Sequence, residues 1–596
     1  MVKEQTGETM FHRRNPQESL FNCDNQFLDS VGRESFYGFL ALHRHEIFRD
    51  EEFAFLYCKD NGRPAVPPSM LAVTLLLQIF DKVSDEEAAS RAHWDIRWQV
   101  ALGIPTGTKP FVKSTLQLFR SQLVIHEKAQ EMFLKSLAFA KRVGYLKSGK
   151  NKIRLAVDTT PIFGRGAVKD TFNLLAGGIL SLMKALAHLH DVELEKWAAT
   201  RDLSRYLEPS IKGSVMIDWD DKHERETFLR SIVADADRLL LLARKERRHL
   251  KKKSPEDQSI TQAATLLAQL LAQDIERKEE ETTIKDGVAK DRVCSTTDPE
   301  MRHGRKSHSN RFDGYKASIA VDTGTQLITA AALLPGNSHD HTGAMDLVRD
   351  SELNTGSNVS MTLGDCAYGD GALRKEFRDA ERTLIAKAPH LPGREGKFSK
   401  DDFHVDASLT VVTCPRNVET THYTRGAKSP SGEHYRIFQF PVAKCRACPL
   451  ADQCVKHPGK DARVYSVHPQ EDLIRTARRE QKTVRFKKVY RLRQAVEHRI
   501  ARLSQLGMRQ ARYTGQTKTL FQLLLTATVA NLTLIASRLT SGLFFVLLVL
   551  FVPDQRRFQC FSAAFSPLQS FFGPWTLVHV NEHYDPLAEG GNRLRF

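Results

Sequence analysis

Two short apolar runs, IRLAV at 153–157 and VSMTLG at 359–364, each end in an aspartate. Each is bounded by turn or loop residues, so both read as buried strands. A carboxylate at the carboxyl tip of such a strand constrains the fold, because open sheets gather ligands at that end. Alone, Asp158 or Asp365 is equally a turn former, a helix cap or a metal ligand. If the two strands are neighbours, both carboxylates enter one crevice.

The segments around these runs supply a sheet. Residues 313–334 read as a hairpin that turns at Asp322. A helix follows near 341–350 with Asp340 as its cap, then a helix at 371–381 and a strand at 383–388. The expected fold class is α/β: a mixed sheet at 150–170 and 295–395, flanked by helices and split by a helical insert at 171–294. Residues 1–145 read as a helical N-terminal region. There, 69–80 is a buried helix, DEEAASRAHWDIRWQVALGI places Trp94 and Trp98 on one face, and Ser114 caps a third helix.

A third acid lies in KKVYRLRQAVEHRIARLSQLG. Val489, Leu492, Val496, Ile500 and Leu503 form an apolar stripe that faces a core. Tyr490, Arg493 and Glu497 make a second row beside it, which puts Glu497 at the edge of the buried face. Basic residues lead into this helix from Arg475 and Arg478 through Arg485, Lys487 and Lys488 to Arg493, and this run reads as a track for a phosphate backbone. A second patch, RKERRHLKKK at 244–253, fits DNA contact or plain solubility equally, and HGRKSHSNR at 303–311 is a third that could touch phosphate. The net charge of +16 agrees with a polyanionic partner.

Of nine cysteines, Cys414, Cys445, Cys448 and Cys454 cluster in a helix-poor segment at 400–465. Clustered cysteines without a secretion signal favour metal over disulfides. Structural Zn²⁺ is the leading reading, with an iron–sulfur cluster and free thiols as the alternatives. Cys366 reads as a small buried thiol. The first residues have no apolar core, and the longest uncharged apolar run, at 543–552, is shorter than the ~20 residues a spanning helix needs. The expected location is therefore cytoplasmic, at the nucleoid, with no membrane partner. The segment 470–540 reads as helical and basic. The tail at 541–596 is aromatic-rich with little helical pattern, and fits either a partner-binding extension or a read-through.

AVDTTPI, TLGDCAYG and the Tyr490, Arg493, Glu497 spacing resemble the three blocks of DDE transposases from bacterial insertion sequences. The similarity is to the branch with a helical N-terminal region and a cysteine cluster before the last acid, and it covers about residues 10–540. The resemblance implies a ribonuclease H-like core with a zinc-ribbon-like insert at 400–465. It implies Asp158, Asp365 and Glu497 as a catalytic triad holding two Mg²⁺ ions. It also implies Tyr490 and Arg493 as residues that handle flanking DNA. The substrate would be double-stranded DNA, the terminal inverted repeats and a target, bound by a homodimer or larger synaptic complex. The related signature has a lysine seven residues after the glutamate; here that position is Ser504, and Arg499 or Arg502 is the expected substitute. The alternatives are a non-catalytic DNA-binding descendant of such an enzyme and a metal nuclease without strand transfer.

Overall fold

The computed structural model describes residues 11–14, 22–58, 64–147, 149–213, 215–278, 281–306, 309–389 and 396–551, without the side chains of 149–151 and 540–551. Residues to Ala536 form one compact unit, and Ser537 begins a second. Of the tail at 541–596 only 541–551 is described. There the backbone is helical, as the end of the helix Gln516–Phe551, contrary to the weak helical pattern.

The central sheet has six strands: β1 (Gly149–Phe163), β2 (Arg302–Arg305), β3 (Arg311–Asp322), β4 (Ile328–Pro335), β5 (Ser357–Gly364) and β6 (Leu384–Ala386). Their order is β2–β3–β1–β5–β6, and β4 also pairs with β3. β1, β5 and β6 run parallel, while β2, β3 and β4 pair antiparallel to their neighbours. Helices Ala344–Thr355 and Gly371–Asp379 bury Met345, Leu347, Val348, Leu373 and Phe377 against Leu155, Val157, Ala320 and Ala330. From the helix Gln516–Phe551, the fully buried Asn531 amide bonds the backbone N–H and C=O of Ile328, at 2.9 Å each, and the Ser136 hydroxyl.

β1 is longer than its apolar run, because Thr159, Thr160 and Pro161 continue the strand instead of turning out of it. Pairing with β5 ends at Ala156, and beyond it β1 has β3 along one side as far as Phe163. The Phe163 N–H, two residues on from Pro161 and so on the same edge, points away from β3 and donates to the Arg509 carbonyl. Pro161 therefore removes no donor from the ladder. Asp322 does close the β3–β4 turn, accepting from the Thr325 N–H and hydroxyl. Asp340 is not a helix cap: Gly343 is, and Asp340 accepts from the buried Lys316 ammonium at 2.7 Å.

In the N-terminal region, Pro68–Asp81 is a buried helix as expected. The next helix breaks at Asp95, whose carboxylate caps Arg97, so Trp94 is 71% exposed while Trp98 is fully buried. Ser114 lies inside the helix Lys113–Ile125 rather than at its cap. An ion pair also locks this region. Asp85 accepts from both terminal nitrogens of the buried Arg120, from Gln78 and from Gln117.

The insert between β1 and β2 packs the long helices Thr171–Leu189, Lys222–Arg247 and Pro255–Asp274 around one apolar core. IERK, inside the segment read as a helical insert, is instead a strand paired with Glu281–Ile284. Thr171–Leu189 and Gln516–Leu539 are apolar and long enough to cross a membrane, yet most of each is buried in the protein. The cysteine-bearing segment forms two three-stranded sheets on a small core of Phe403, Val412, Phe438, Phe440 and Tyr465.

Candidate active site

Register brings the two aspartates together. Leu155 pairs with Thr362 and Ala156 with Leu363, the same offset that separates Asp158 from Asp365. On the far side Gly364 pairs with Ala386, which extends the row to Lys387. Asp158, Asp365 and Lys387 thus occupy equivalent positions on three adjacent parallel strands, at or just beyond the end of their mutual pairing. Asp365 also caps the short turn Cys366–Gly369, accepting from the Ala367 N–H at 2.8 Å.

The third acid arrives from the other direction. The apolar stripe does not run on one unbroken helix: Val484–Tyr490 is followed by a tight turn at Arg491–Arg493 and then by the helix Gln494–Gln505. Val496 and Leu503 are fully buried, while Glu497 stays half exposed at the rim. Residues 509–511 then bond the free edge of β1: Phe163 donates to Arg509 and accepts from Ala511. That strap fixes the helix beside Asp158. Arg493 completes the link, donating to Asp158 at 2.9 Å through one nitrogen and to Glu497 through the other.

One guanidinium therefore serves a group of three carboxylates, and the protonation of Asp158 reflects the imbalance. Burial pushes its carboxyl up to about 6, opposed by the Thr159 N–H, reinforced by the Asp365 charge and only partly offset by Arg493. Such a surplus of buried acid suits a cation site.

Around this group, Tyr490 stacks on Phe486 at 5.3 Å, and the Lys387 ammonium sits 5.1 Å from the Tyr490 ring centre. Arg485, Lys487 and Lys488 are exposed on the helix Val484–Tyr490. Two members of the expected basic track face elsewhere. Arg475 bonds the Phe403 carbonyl and the Tyr465 hydroxyl, and Arg478 bonds Asp401, so both hold the cysteine-bearing segment in place. The two residues expected to substitute for the absent lysine are set differently. Arg502 lies 6.0 Å from the Phe80 ring, against the N-terminal region, and Arg499 is half buried in the same helix. The Ser504 hydroxyl instead meets Arg509 at 3.3 Å. Cys366 is exposed rather than buried, since the turn capped by Asp365 carries it outward.

Lys387 and Arg509 escaped the sequence reading. A lysine directly after the apolar run TLIA carries the same signal as the two aspartates, an ionisable residue at a strand tip. Arg509 carries none, because its role comes from the strap on β1.

The four clustered cysteines form no disulfide with one another and share one neighbourhood. Burial raises the Cys454 thiol, Arg463 opposes this, and Cys445, Cys414 and Cys448 add to the rise. A second group, Cys294, His303 and Asp313, brings its donor atoms within 4.8 Å of one another. There the His303 ring bonds Asp313, and the Arg292 guanidinium lies 3.5 Å from the other ring nitrogen. A cation already faces that ring, so the contact is a brace between strands rather than a metal site.

Two family models match the chain. Residues 33–122 match a transposase domain and 413–536 a transposase DDE domain. No curated protein matches it. The second match includes Glu497 and all four clustered cysteines, while Asp158 and Asp365 lie between the matched segments, where the sheet register joins them to the same site. Together the two matches indicate a DDE transposase of the insertion-sequence type.

Proposed function

We propose that the protein binds the terminal inverted repeats of a bacterial insertion sequence as double-stranded DNA, cuts at the repeat boundary and joins the freed 3′ end to target DNA. The observation that carries this reading is the convergence of Asp158, Asp365 and Glu497 at the carboxyl end of parallel strands, with Arg493 between two of them. The mixed sheet, with acids at the tips of its parallel strands, supports a ribonuclease H-like core.

The donor set fits two Mg²⁺ ions, because hard cations take carboxylate oxygens and only a few are needed. Asp158 and Asp365 would be the primary ligands, and Glu497 would complete the second position. Such ions, when bound, supply activation of an attacking oxygen and stabilisation of a leaving one. The chain's own residues do the rest. Arg493 and Lys387 offer positive charge to the phosphate beside the acids, and the Tyr490 ring faces both cations. Arg485, Lys487 and Lys488 continue the cationic surface along the approaching strand. Arg509, which bonds Ser504 at the position of the absent lysine, takes its place together with Arg499.

Cys414, Cys445, Cys448 and Cys454 hold a structural Zn²⁺ that folds a zinc-ribbon-like insert, supported by their shared neighbourhood and the absence of disulfides among the described residues. A synaptic assembly of two or more copies follows from the need to hold two ends together, and a DNA substrate places the work in the cytoplasm at the nucleoid.

The test is cleavage of a labelled repeat end with Mg²⁺ or Mn²⁺, wild type beside Asp158→Asn. Nicking and joining that require metal and Asp158 support the reading. Nicking without joining makes the protein a nuclease, and binding without nicking makes it a non-catalytic descendant.

A further inference from the structure

The hairpin β2–β3 reaches beyond the sheet. β3 leaves its register with β1 at Gly314, the Gly164 N–H still bonds the Asp313 carbonyl, and residues 311–312 are paired with β2 alone, as a short two-stranded arm. The arm points the way the acids do, because β3 runs antiparallel to β1 and Asp158 pairs with Ile319. From Ile319 to Arg311 the strand spans roughly 27 Å, at about 3.4 Å per residue.

The tip of the arm is basic. Arg305 and Arg311 are directly opposite each other across the pair, and both are exposed, as is Lys306. Like charges in opposed positions destabilise a hairpin, and neither arginine meets a carboxylate among the described residues. Local folding does not account for this arrangement; a polyanion laid across the tip does.

The root is rigid, so the tip is aimed. A Cβ on Gly304 would meet the Phe312 ring at 2.2 Å, and Gly314, at φ +148°, would drive one into the Ile162 carbonyl at 2.1 Å. The His303–Asp313 contact and the bond from the Tyr315 hydroxyl to Asp298, 2.6 Å, brace the same place.

We infer that the β2–β3 tip is a second DNA contact, in which Arg305, Lys306 and Arg311 clamp the duplex backbone about eight base pairs from the phosphate at the acids, at ~3.4 Å of rise per base pair. This deepens the transposase reading and rests on it. Phosphate contacts of this kind add affinity and fix register without reading sequence.

The test measures binding of the full chain to a random-sequence 40-base-pair duplex across a salt series. The triple variant Arg305→Ala, Lys306→Ala, Arg311→Ala should lose affinity at least tenfold. Its log–log salt slope should shrink by about 2.7, at ~0.9 for each phosphate that is no longer neutralised. A control, Lys196→Ala, Lys222→Ala, Lys278→Ala, removes equal charge from exposed positions on the insert and should leave the slope unchanged. The charge-keeping Arg305→Lys, Arg311→Lys should retain most of the binding, which separates removal of charge at the tip from damage to the fold. Equal loss in hairpin and control variants, or no loss in the hairpin variant, overturns the clamp while leaving the transposase reading intact. A wild type that fails to bind duplex at all overturns both.

Discussion

Two arginine–carboxylate clusters in this molecule use the same ions to opposite effect. In the N-terminal region, burial alone would raise the Asp85 carboxyl, but the hydrogen bonds from Arg120, Gln78 and Gln117 and the arginine charge outweigh it, holding that carboxyl well below the usual range. At the candidate active site Arg493 also contacts a buried aspartate, yet Asp158 rises to about 6. The difference is charge balance. Arg120 meets one carboxylate whose lone pairs are filled by four donors, while Arg493 is shared by Asp158 and Glu497 with Asp365 adding its charge. The first cluster is complete by itself. The second is short of positive charge, the condition a catalytic cation would relieve.

The largest effect should come from breaking the complete cluster. Arg120→Ala leaves Asp85 partly buried without its cation and should lower stability by about 3–5 kcal/mol, read by denaturant unfolding. Asp158→Asn should abolish metal-dependent cleavage without any such loss, and equal destabilisation by the two variants would erase the contrast.

Next in size is the response to metal. A divalent cation at about one hundred times its dissociation constant should raise stability by ~2.7 kcal/mol, and Asp365→Asn should remove that gain while Arg120→Ala keeps it. Thermal unfolding with Mn²⁺ and with EDTA measures both.

The pH dependence sharpens the comparison further. The folded carboxyl of Asp158 sits near 6 against an ordinary 3.8, so its ionisation opposes folding. Its favourable contribution is full below pH ~4 and is lost as pH rises through ~6. In EDTA, Asp158→Asn should therefore be more stable than wild type at pH 8, by on the order of 2 kcal/mol, and that advantage should vanish toward pH 4. Asp85 has the opposite sign: its contribution is present at neutral pH and lost only as pH falls below the ordinary carboxylate range. An advantage that grows on acidification would contradict this account.

The smallest stability effect belongs to Glu497→Gln. Its carboxylate is half exposed, and a surface ion pair contributes about 0–1 kcal/mol, so unfolding should barely move while cleavage is lost.

How much of this is readable from the residues alone depends on range. The strand tips are legible because an apolar run that ends in an acid is a local pattern, and the shared offset of pairing and sequence then brings Asp158 to Asp365. Glu497 is legible from helical spacing, even though the helix breaks at Arg491–Arg493. What escapes is decided by pairing between distant segments. Pro161 reads as a turn because nothing local shows that its side of β1 is open. Asp340 reads as a cap because its partner, Lys316, lies on another strand. Trp94 turns outward because Asp95 caps the next helix, a choice that periodicity alone does not reveal.

Asn531 has a consequence for how the protein comes into being. Its amide ties Ile328 on the sheet to Ser136 in the N-terminal region, and all three residues are fully buried. A nascent chain lacks that keystone until almost all of these elements have been translated, and even Glu497 emerges well before it. Domains fold as they leave the ribosome, N-terminal parts first. Here the tie between the sheet and the N-terminal region waits until synthesis has passed Asn531, after all three acids have been made.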